Sequence, residues 1–387
     1  MEKRFCRYRT GVIFLSLLVL LGSSFLSAVE VSIPSLELMS WGRVEEGRFG
    51  LFSRGYLEIA LLGSEEGFGG KAEFLFEDSN LEESRTIPSA YDKSAMEQAF
   101  QKTLALKSLS VEMKQIFRLP VSMAYFTGST DEIGSGEIFS SVFGLSSIAS
   151  PVKGFLYFPK SIQYQGLHTI AGTGLKLYTE KAFEKLFLAT YTYQDQYLGK
   201  GKYSSDVWLA FNHAGLQVET FFGASYPIST YGIYRGGLLF HYVTPEGGAF
   251  FTQIGVPRWD PKEDTKFTVD LFYFLFEPRV QIGLFGVSLT FFWHPSYYLQ
   301  TPTGESGITD LYIRFTYGKQ PKTSWVAGIE NGATLQTNAG EQITYRVTPF
   351  FAIVTAGVQW EFRVNVNLYP YHLNSLIETF VGAKTSF

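Results

Sequence analysis

The chain has 387 residues, of which 45% are hydrophobic, 17% aromatic and 18% charged, with a formal net charge of −4. Its mean hydropathy is close to zero. These values exclude a disordered chain and a helical protein that crosses a membrane many times. Because the charged fraction lies below the roughly 25% usual for soluble domains, we expect many of the 36 Phe and 23 Tyr side chains on a surface that does not face water.

Residues 1–28 have the pattern of a secretory signal peptide. An apolar run over residues 12–21 is about half the roughly 20 residues that a membrane-crossing helix needs, so we favour cleavage after Ala28 over an N-terminal anchor. The predicted mature domain is residues 29–387. The only cysteine, Cys6, lies in the removed segment, which leaves no disulfide and no lipid anchor. The basic start of the segment comprises Lys3, Arg4, Arg7 and Arg9.

Removal of that basic segment makes the mature chain more acidic than the full chain. A basic face for nucleic acid is therefore not expected. After residue 28, no apolar run approaches the length of a spanning helix. If the protein lies in a membrane, it must cross as strands.

Residues 358–367 alternate strictly between apolar and polar side chains. Because successive side chains of a strand point to opposite faces, Trp360 and Phe362 share one face, and Glu361 and Arg363 share the other. The alternation recurs in segments of about ten residues, the length that crosses a bilayer at a tilt. Candidate strands lie near 36–42, 48–62, 69–77, 106–117, 120–127, 172–179, 185–194, 203–212, 216–225, 234–243, 248–256, 266–276, 283–293, 308–317, 323–331, 343–353, 358–367 and 374–387.

The predicted fold is an all-β, closed antiparallel transmembrane β-barrel of about 16 strands (range 14–18), the two weakest candidates being the first two. The prediction includes long external loops and one short loop helix. That helix is expected behind Ser94 and Glu97, which have the spacing of a capping box, with Met96, Phe100 and Leu104 on its apolar face. It would serve as a lid or only pack within its loop.

The last eight residues run from Phe380 to a terminal Phe387, with Gly382 among them. They resemble the carboxy-terminal signal by which outer-membrane β-barrel proteins of double-membraned bacteria are recognised for assembly. The sequence departs from that signal at Thr385, where an aromatic or bulky apolar residue is usual, and at Phe380, where a polar one is usual. The wider resemblance is to porin-like barrels, which implies outer-membrane lipid and the barrel-assembly machinery as partners.

The predicted connections alternate in length. Short ones at 118–119, 213–215, 244–247 and 354–357 fall at one end of the barrel, and long ones at 78–105, 128–171, 294–307 and 332–342 fall at the other. In outer-membrane barrels the short turns face the periplasm. We therefore predict an outer-membrane location with both termini in the periplasm.

A barrel of this size leaves an open lumen. The side chains expected to line the lumen carry charges of both signs. They either create a transverse electric field that favours small polar solutes or only keep the wall of the lumen hydrated. By resemblance to porins, the loop at 128–171 folds into the barrel with Asp131, Glu132 and Glu137 at a constriction; alternatively it stays outside. The candidate lining residues are Lys71, Glu73, Glu112, Lys114, Glu219, Asp270, Arg314, Arg346, Glu361 and Arg363, with Glu378 and Lys384 beside them.

The favoured function is a channel that passes small polar solutes by diffusion. A transporter of hydrophobic substrates is the second candidate, because Phe272, Phe274 and Phe276 fall on the predicted inward register of their strand. A surface adhesin or structural barrel is the third. We predict no enzyme, cofactor or metal site, since the five histidines are scattered and no catalytic motif is found. Monomer and trimer both stay open.

Overall fold

The structure, a computed structural model, describes most of the predicted mature chain. The predicted signal peptide, residues 94–103 of the predicted loop helix, and Phe387 lie outside the described residues. The described residues are 30–45, 48–63, 68–78, 104–116, 119–145, 148, 150, 167–179, 185–226, 232–264, 266–294, 297–298, 301–302, 308–318, 323–336, 342–373 and 376–385.

Within the described residues, eighteen antiparallel strands form one sheet, and the sheet is closed because β1 pairs with β20. The barrel strands are β1 (Glu30–Glu45), β2 (Arg48–Leu62), β3 (Phe68–Asp78), β4 (Leu104–Met113), β5 (Val121–Ile133), β6 (His168–Thr179), β7 (Leu186–Asp195), β8 (Tyr203–His213), β9 (Leu216–Tyr226), β10 (Ile233–Val243), β11 (Gly248–Trp259), β12 (Tyr273–Ile282), β13 (Phe285–His294), β16 (Ile308–Tyr317), β17 (Trp325–Gln336), β18 (Gln342–Thr355), β19 (Val358–Tyr369) and β20 (Ile377–Thr385). Two short strands, β14 (Tyr297–Tyr298) and β15 (Thr301–Pro302), form a separate hairpin. The predicted all-β barrel is confirmed, with a strand number at the top of the predicted range.

Leu36 of β1 lies opposite Thr385 of β20, so the described chain starts and stops at the same end of the barrel, here called the terminal end. The turns 214–215, 244–247, 283–284 and 356–357 lie at this end. At the β8–β9 turn, Ala214 and Gly215 both have positive φ angles, 47° and 82°, as a two-residue hairpin turn matched to the strand twist requires. The strand ends on either side of residues 79–103, 134–167, 260–272 and 295–307 lie at the opposite end, called the loop end, in agreement with the predicted parity.

The strand side chains alternate between an apolar outer face and an inner face. In β19, Trp360 and Phe362 are exposed on the outside, whereas Glu361 and Arg363 are buried on the inside, as the sequence predicts. An outer aromatic band crosses neighbouring strands near the terminal end, with ring centroids 4.8 to 6.5 Å apart. Such a band suits the girdle at a membrane interface. Its rings belong to Phe285, Tyr317 and Trp325 at the strand ends, and the row continues towards the middle of the sheet through Phe351 and Phe362.

The predicted strand at 266–276 is wrong in its first half. Val269–Leu271 form a 3₁₀ helix, and β12 begins at Tyr273. Tyr273 and Leu275 are buried on the inner face, while Phe276 is exposed on the outer face. The prediction that Phe272, Phe274 and Phe276 line the lumen is therefore also wrong: Phe274 shares the outer face with Phe276, and Phe272 precedes the strand. The apolar run 271–276 contains no alternation from which its register can be read.

One short α-helix, α1 (Ile138–Ser141), is described, and it lies in the connection between β5 and β6. Leu104, which the sequence placed in the loop helix, instead begins β4. Within the described ranges, no helix is long and apolar enough to cross a membrane.

Candidate functional site

The chain turns into the barrel after β5, which runs six residues beyond its predicted end and stops at Ile133. The described residues 134–145, 148 and 150 are called the inserted segment. Glu219 of β9 accepts hydrogen bonds from the backbone N–H groups of Gly134 (2.5 Å) and Gly136 (3.1 Å). Gln253 of β11 donates to the carbonyl of Gly134, and Ser150 donates to Glu277 of β12. These bonds tie the segment to the inner faces of three strands.

Apolar packing holds the same segment against the wall. Ile138, Phe139 and Ile148 are almost fully buried, and their core includes the inward Trp208 and Leu239. Burial of one such side chain stabilises a fold by roughly 1.5–3 kcal/mol. The inner faces of β5–β13 together with the inserted segment are called the packed half. Further wall residues in its core are Phe126, Ile170, Phe187, Tyr191, Tyr193, Phe221, Phe251, Tyr273, Leu275 and Phe292.

The packed half also contains a buried ion pair. Arg235 of β10 holds Asp206 of β8 with two nitrogens, at 2.7 Å (Nε to Oδ1) and 2.6 Å (Nη2 to Oδ2). Tyr193 donates to Asp206 at 2.9 Å, and His168 lies 3.5 Å from the same carboxylate. Because His168 begins β6, this group fixes the point at which the chain returns from the inserted segment to the wall. A bidentate guanidinium–carboxylate contact is among the stronger polar contacts in proteins.

The inner faces of β16–β20 and β1–β4 carry charges instead and are called the charged half. Arg314 and Arg363 both lie against the ring of Phe350, with Cζ atoms 4.0 and 5.5 Å from its centroid. Between the two guanidinium groups, Glu330 lies 3.6 Å from Arg314 Nη1 and 4.0 Å from Arg363 Nη1. Glu361 contacts Arg363 directly.

On the opposite side of the β20–β1 closure, the charged half continues through β1–β4. Lys107 of β4 donates to Glu58 of β2 at 2.9 Å. Ser108 donates to Glu73 at 2.5 Å, and Lys71 pairs with the same carboxylate. Lys71 and Glu73 share β3 and Ser108 lies on the neighbouring β4, whereas Lys107 reaches from β4 across β3 to Glu58 of β2.

A cavity of about 590 Å³ lies at the terminal end of the barrel, with Ser150 of the inserted segment among its walls. Gly247 and Gln359, near the short turns, also line it. Five charged side chains complete its lining: Glu37, Arg279, Arg314, Glu361 and Lys384. The cavity thus adjoins both halves.

Comparisons with known proteins return structures only: no family model and no curated protein matches this sequence. OccAB2 of Acinetobacter baumannii is 11% identical with a TM-score of 0.52, over 94% of this chain and 99% of that one. OmpF of Salmonella typhi, in a complex with daunomycin, is 9% identical with a TM-score of 0.47, over 93% and 97%. A mutant of the Rh. blastica porin is 10% identical with a TM-score of 0.46, over 93% and 100%.

The chain has a porin-like fold. At these sequence identities the similarity is limited to the fold. The role of each residue in this porin-like barrel must therefore be inferred from its own position.

Most of the predicted lining residues face the interior of the porin-like barrel: Lys71, Glu73, Glu112, Arg314, Arg346, Glu361, Arg363, Glu378 and Lys384. The other three differ in position or in cover. Glu219 faces inward, but the inserted segment covers it. Asp270 is exposed in the 3₁₀ helix, outside the barrel strands, and Lys114 follows the end of β4. The prediction that Asp270 lies on a strand is wrong.

The three predicted constriction acids do not meet at one point. Asp131 is held against the wall, since Lys176 donates to it at 2.9 Å and Tyr191 donates at 3.2 Å. Glu132 still belongs to β5. Glu137 is exposed next to α1, whose buried residues, Ile138 and Phe139, pack against the wall. Of the three, Glu137 is therefore the one on the free side of the inserted segment.

The sequence predictions missed the charges of β12 and the buried pair of Asp206 and Arg235. A usable signal existed for β12, because an acid and a base two residues apart share one strand face. Glu277 and Arg279 have this spacing, and the two groups make an ion pair. They were missed since the predicted strand stopped at residue 276. In the part of the chain that the structure describes, no three His, Cys, Asp or Glu side chains are grouped to hold a metal ion.

Proposed function

We propose that the protein is an outer-membrane channel that passes small polar solutes by diffusion through a charged, water-filled lumen, with both termini in the periplasm. The observation that carries this proposal is the charged half: an inner wall of paired acids and bases where the packed half has an apolar core. Such a wall faces water or other polar groups and not lipid, because each buried charge needs polar partners or water. The porin-like fold supports the same conclusion.

Selection in this channel is steric and electrostatic. An 18-stranded barrel is wide enough for an open lumen, and the inserted segment reduces that width by filling the packed half. The remaining path runs between the free side of the segment and the charged half. Glu137 stands on the first side, and Arg314 and Arg346 stand on the second. A solute with a permanent dipole is oriented by the field between them.

The test is single-channel conductance of residues 29–387, refolded in detergent and inserted into a planar lipid bilayer. We expect stable conductance steps of one size. Glu137→Gln should shift the step size and the ion selectivity, because it removes a charge from the free side of the segment. Glu263→Gln is the matched control, since Glu263 is also an exposed acid but follows β11 and lies outside the inserted segment.

An assembled barrel that inserts without conductance contradicts the channel. Equal effects of Glu137→Gln and the control contradict the assigned path. The hydrophobic transporter is not retained as a second candidate, because the phenylalanines that suggested it lie outside the lumen.

A further inference from the structure

Five ion pairs of the inner wall share an orientation, in which the cation is more exposed than the carboxylate. For Lys384 and Glu37 the exposed side-chain fractions are 54% and 11%, and for Arg279 and Glu277 they are 26% and 0%. The same order holds for Lys71 and Glu73 (39% and 8%), Lys107 and Glu58 (27% and 10%), and Arg314 and Glu330 (12% and 2%).

Hydrogen bonds fix several of the hidden carboxylates in place. Glu277 accepts from Ser150 and from Thr290, the latter at 2.6 Å. Glu73 accepts from Ser108 at 2.5 Å, and Glu37 accepts from Ser35 at 2.8 Å. Because hydrogen bonds hold these carboxylates, they do not rotate freely into the lumen. The orientation of the pairs is thus built into the wall.

Three of the cations meet at the cavity of the terminal end: Arg279, Arg314 and Lys384. Ser288 of β13 lies directly between the two arginines in the sheet, opposite Arg279 on one side and opposite Arg314 on the other. The row therefore presents a guanidinium, a hydroxyl and a second guanidinium, all of which donate hydrogen bonds. Carboxylates suit such a row, because arginine donates to them with two parallel N–H groups.

Other described pairs do not share this orientation. Lys176 and Asp131 are equally hidden, as are Arg363 and Glu361. Arg235 and Asp206 are both buried in the packed half. In these pairs neither charge is nearer to the lumen, so their fields largely cancel there. The oriented pairs determine the sign of the potential that a solute meets, since Coulomb energy falls with distance and the cation is the nearer charge.

We propose, on the basis of the channel function above, that the lumen selects small anionic solutes, such as carboxylates, even though the chain carries a net negative charge. Arg279, Ser288, Arg314 and Lys384 are the groups that face the anion in the cavity. Glu37 and Glu361 also line the cavity, but their side chains are only 11% and 4% exposed, so the more exposed cations are the charges that an anion meets first.

The test uses the refolded full mature chain in a planar bilayer with a gradient of potassium chloride, and then of potassium acetate. The reversal potential should show that chloride and acetate pass more readily than potassium. The double variant Glu37→Gln with Lys384→Gln keeps the net charge, removes one oriented pair and should lower the anion-to-cation permeability ratio roughly twofold. Lys185→Gln is the control, because it removes one exposed lysine at the same end from a turn outside the cavity.

A conducting channel that prefers potassium overturns the inference, as does a double variant with an unchanged ratio. A larger effect for Lys185→Gln than for the double variant also overturns it, because net charge rather than orientation would then set selectivity. A barrel that assembles without conductance contradicts the channel itself, so the two failures are distinguishable.

Discussion

The packed half and the charged half are built from strands with the same outer face but opposite inner faces. Both expose apolar residues outward, such as Leu289 in β13 and Phe362 in β19. Inward, β12 presents Tyr273 and Leu275 to the inserted segment, whereas β19 presents Glu361 and Arg363 to its neighbouring charges. Lipid thus imposes one common requirement on the outside. On the inside, the covering segment decides whether a strand carries a core or a polar wall.

The largest expected difference between the halves concerns their ion pairs. Arg235→Met leaves Asp206 buried in the packed half without its cation, which should lower the free energy of unfolding by about 3–5 kcal/mol. Urea unfolding of the barrel in lipid vesicles, followed by tryptophan fluorescence, measures this. A loss below about 1 kcal/mol would mean that water reaches Asp206 and that the packed half is not closed.

Phe362→Arg tests the face that both halves share. A charged side chain on the lipid-facing surface near the membrane centre should cost roughly 2–4 kcal/mol and reduce the folded fraction on a heat-modifiability gel. Gln359→Arg is the control, because Gln359 lies three residues earlier on the inner face and lines the cavity. Equal loss in both variants would refute the assignment of inner and outer faces in β19.

Glu219→Gln weakens the bonds that hold the inserted segment. Its carboxylate accepts from Gly134, Gly136 and Trp208, and replacement of a charged acceptor by a neutral one should cost about 2 kcal/mol. Single-channel recordings should show a larger and noisier conductance as the segment loosens. Glu112→Gln removes an inward acid that bonds Tyr178 instead, and should leave the noise unchanged. If the two variants behave alike, the segment does not limit the path.

The smallest effect is expected for a pair that the lumen solvates. Lys71→Met removes the exposed partner of Glu73, and the free energy of unfolding should change by less than about 1 kcal/mol, because Ser108 still donates to the carboxylate and water screens the remainder. The same urea titration applies. A loss as large as that of Arg235→Met would erase the distinction between the halves.

The strands and their outer faces were predictable to a large extent. The alternation of residues 358–367 predicted the faces that the structure has. The alternation of short and long connections correctly predicted which turns lie at the same end of the barrel. The candidate site was harder to predict. The sequence placed Glu361 and Arg363 on the inner face, but it gave no reason to distinguish Asp131, which bonds to Lys176, from the exposed Glu137.

The sequence alone determined the features that depend on neighbouring residues along the chain: strand periodicity, turn positions and the apolar outer surface. Only the tertiary structure decided which strands the inserted segment covers and which carboxylates lie behind their cations. The bonds of Gly134 to Glu219 and of Ser150 to Glu277 join residues 85 and 127 positions apart. Such contacts exist only after the sheet closes, because closure is what brings the inner faces of β5, β9 and β12 around one space.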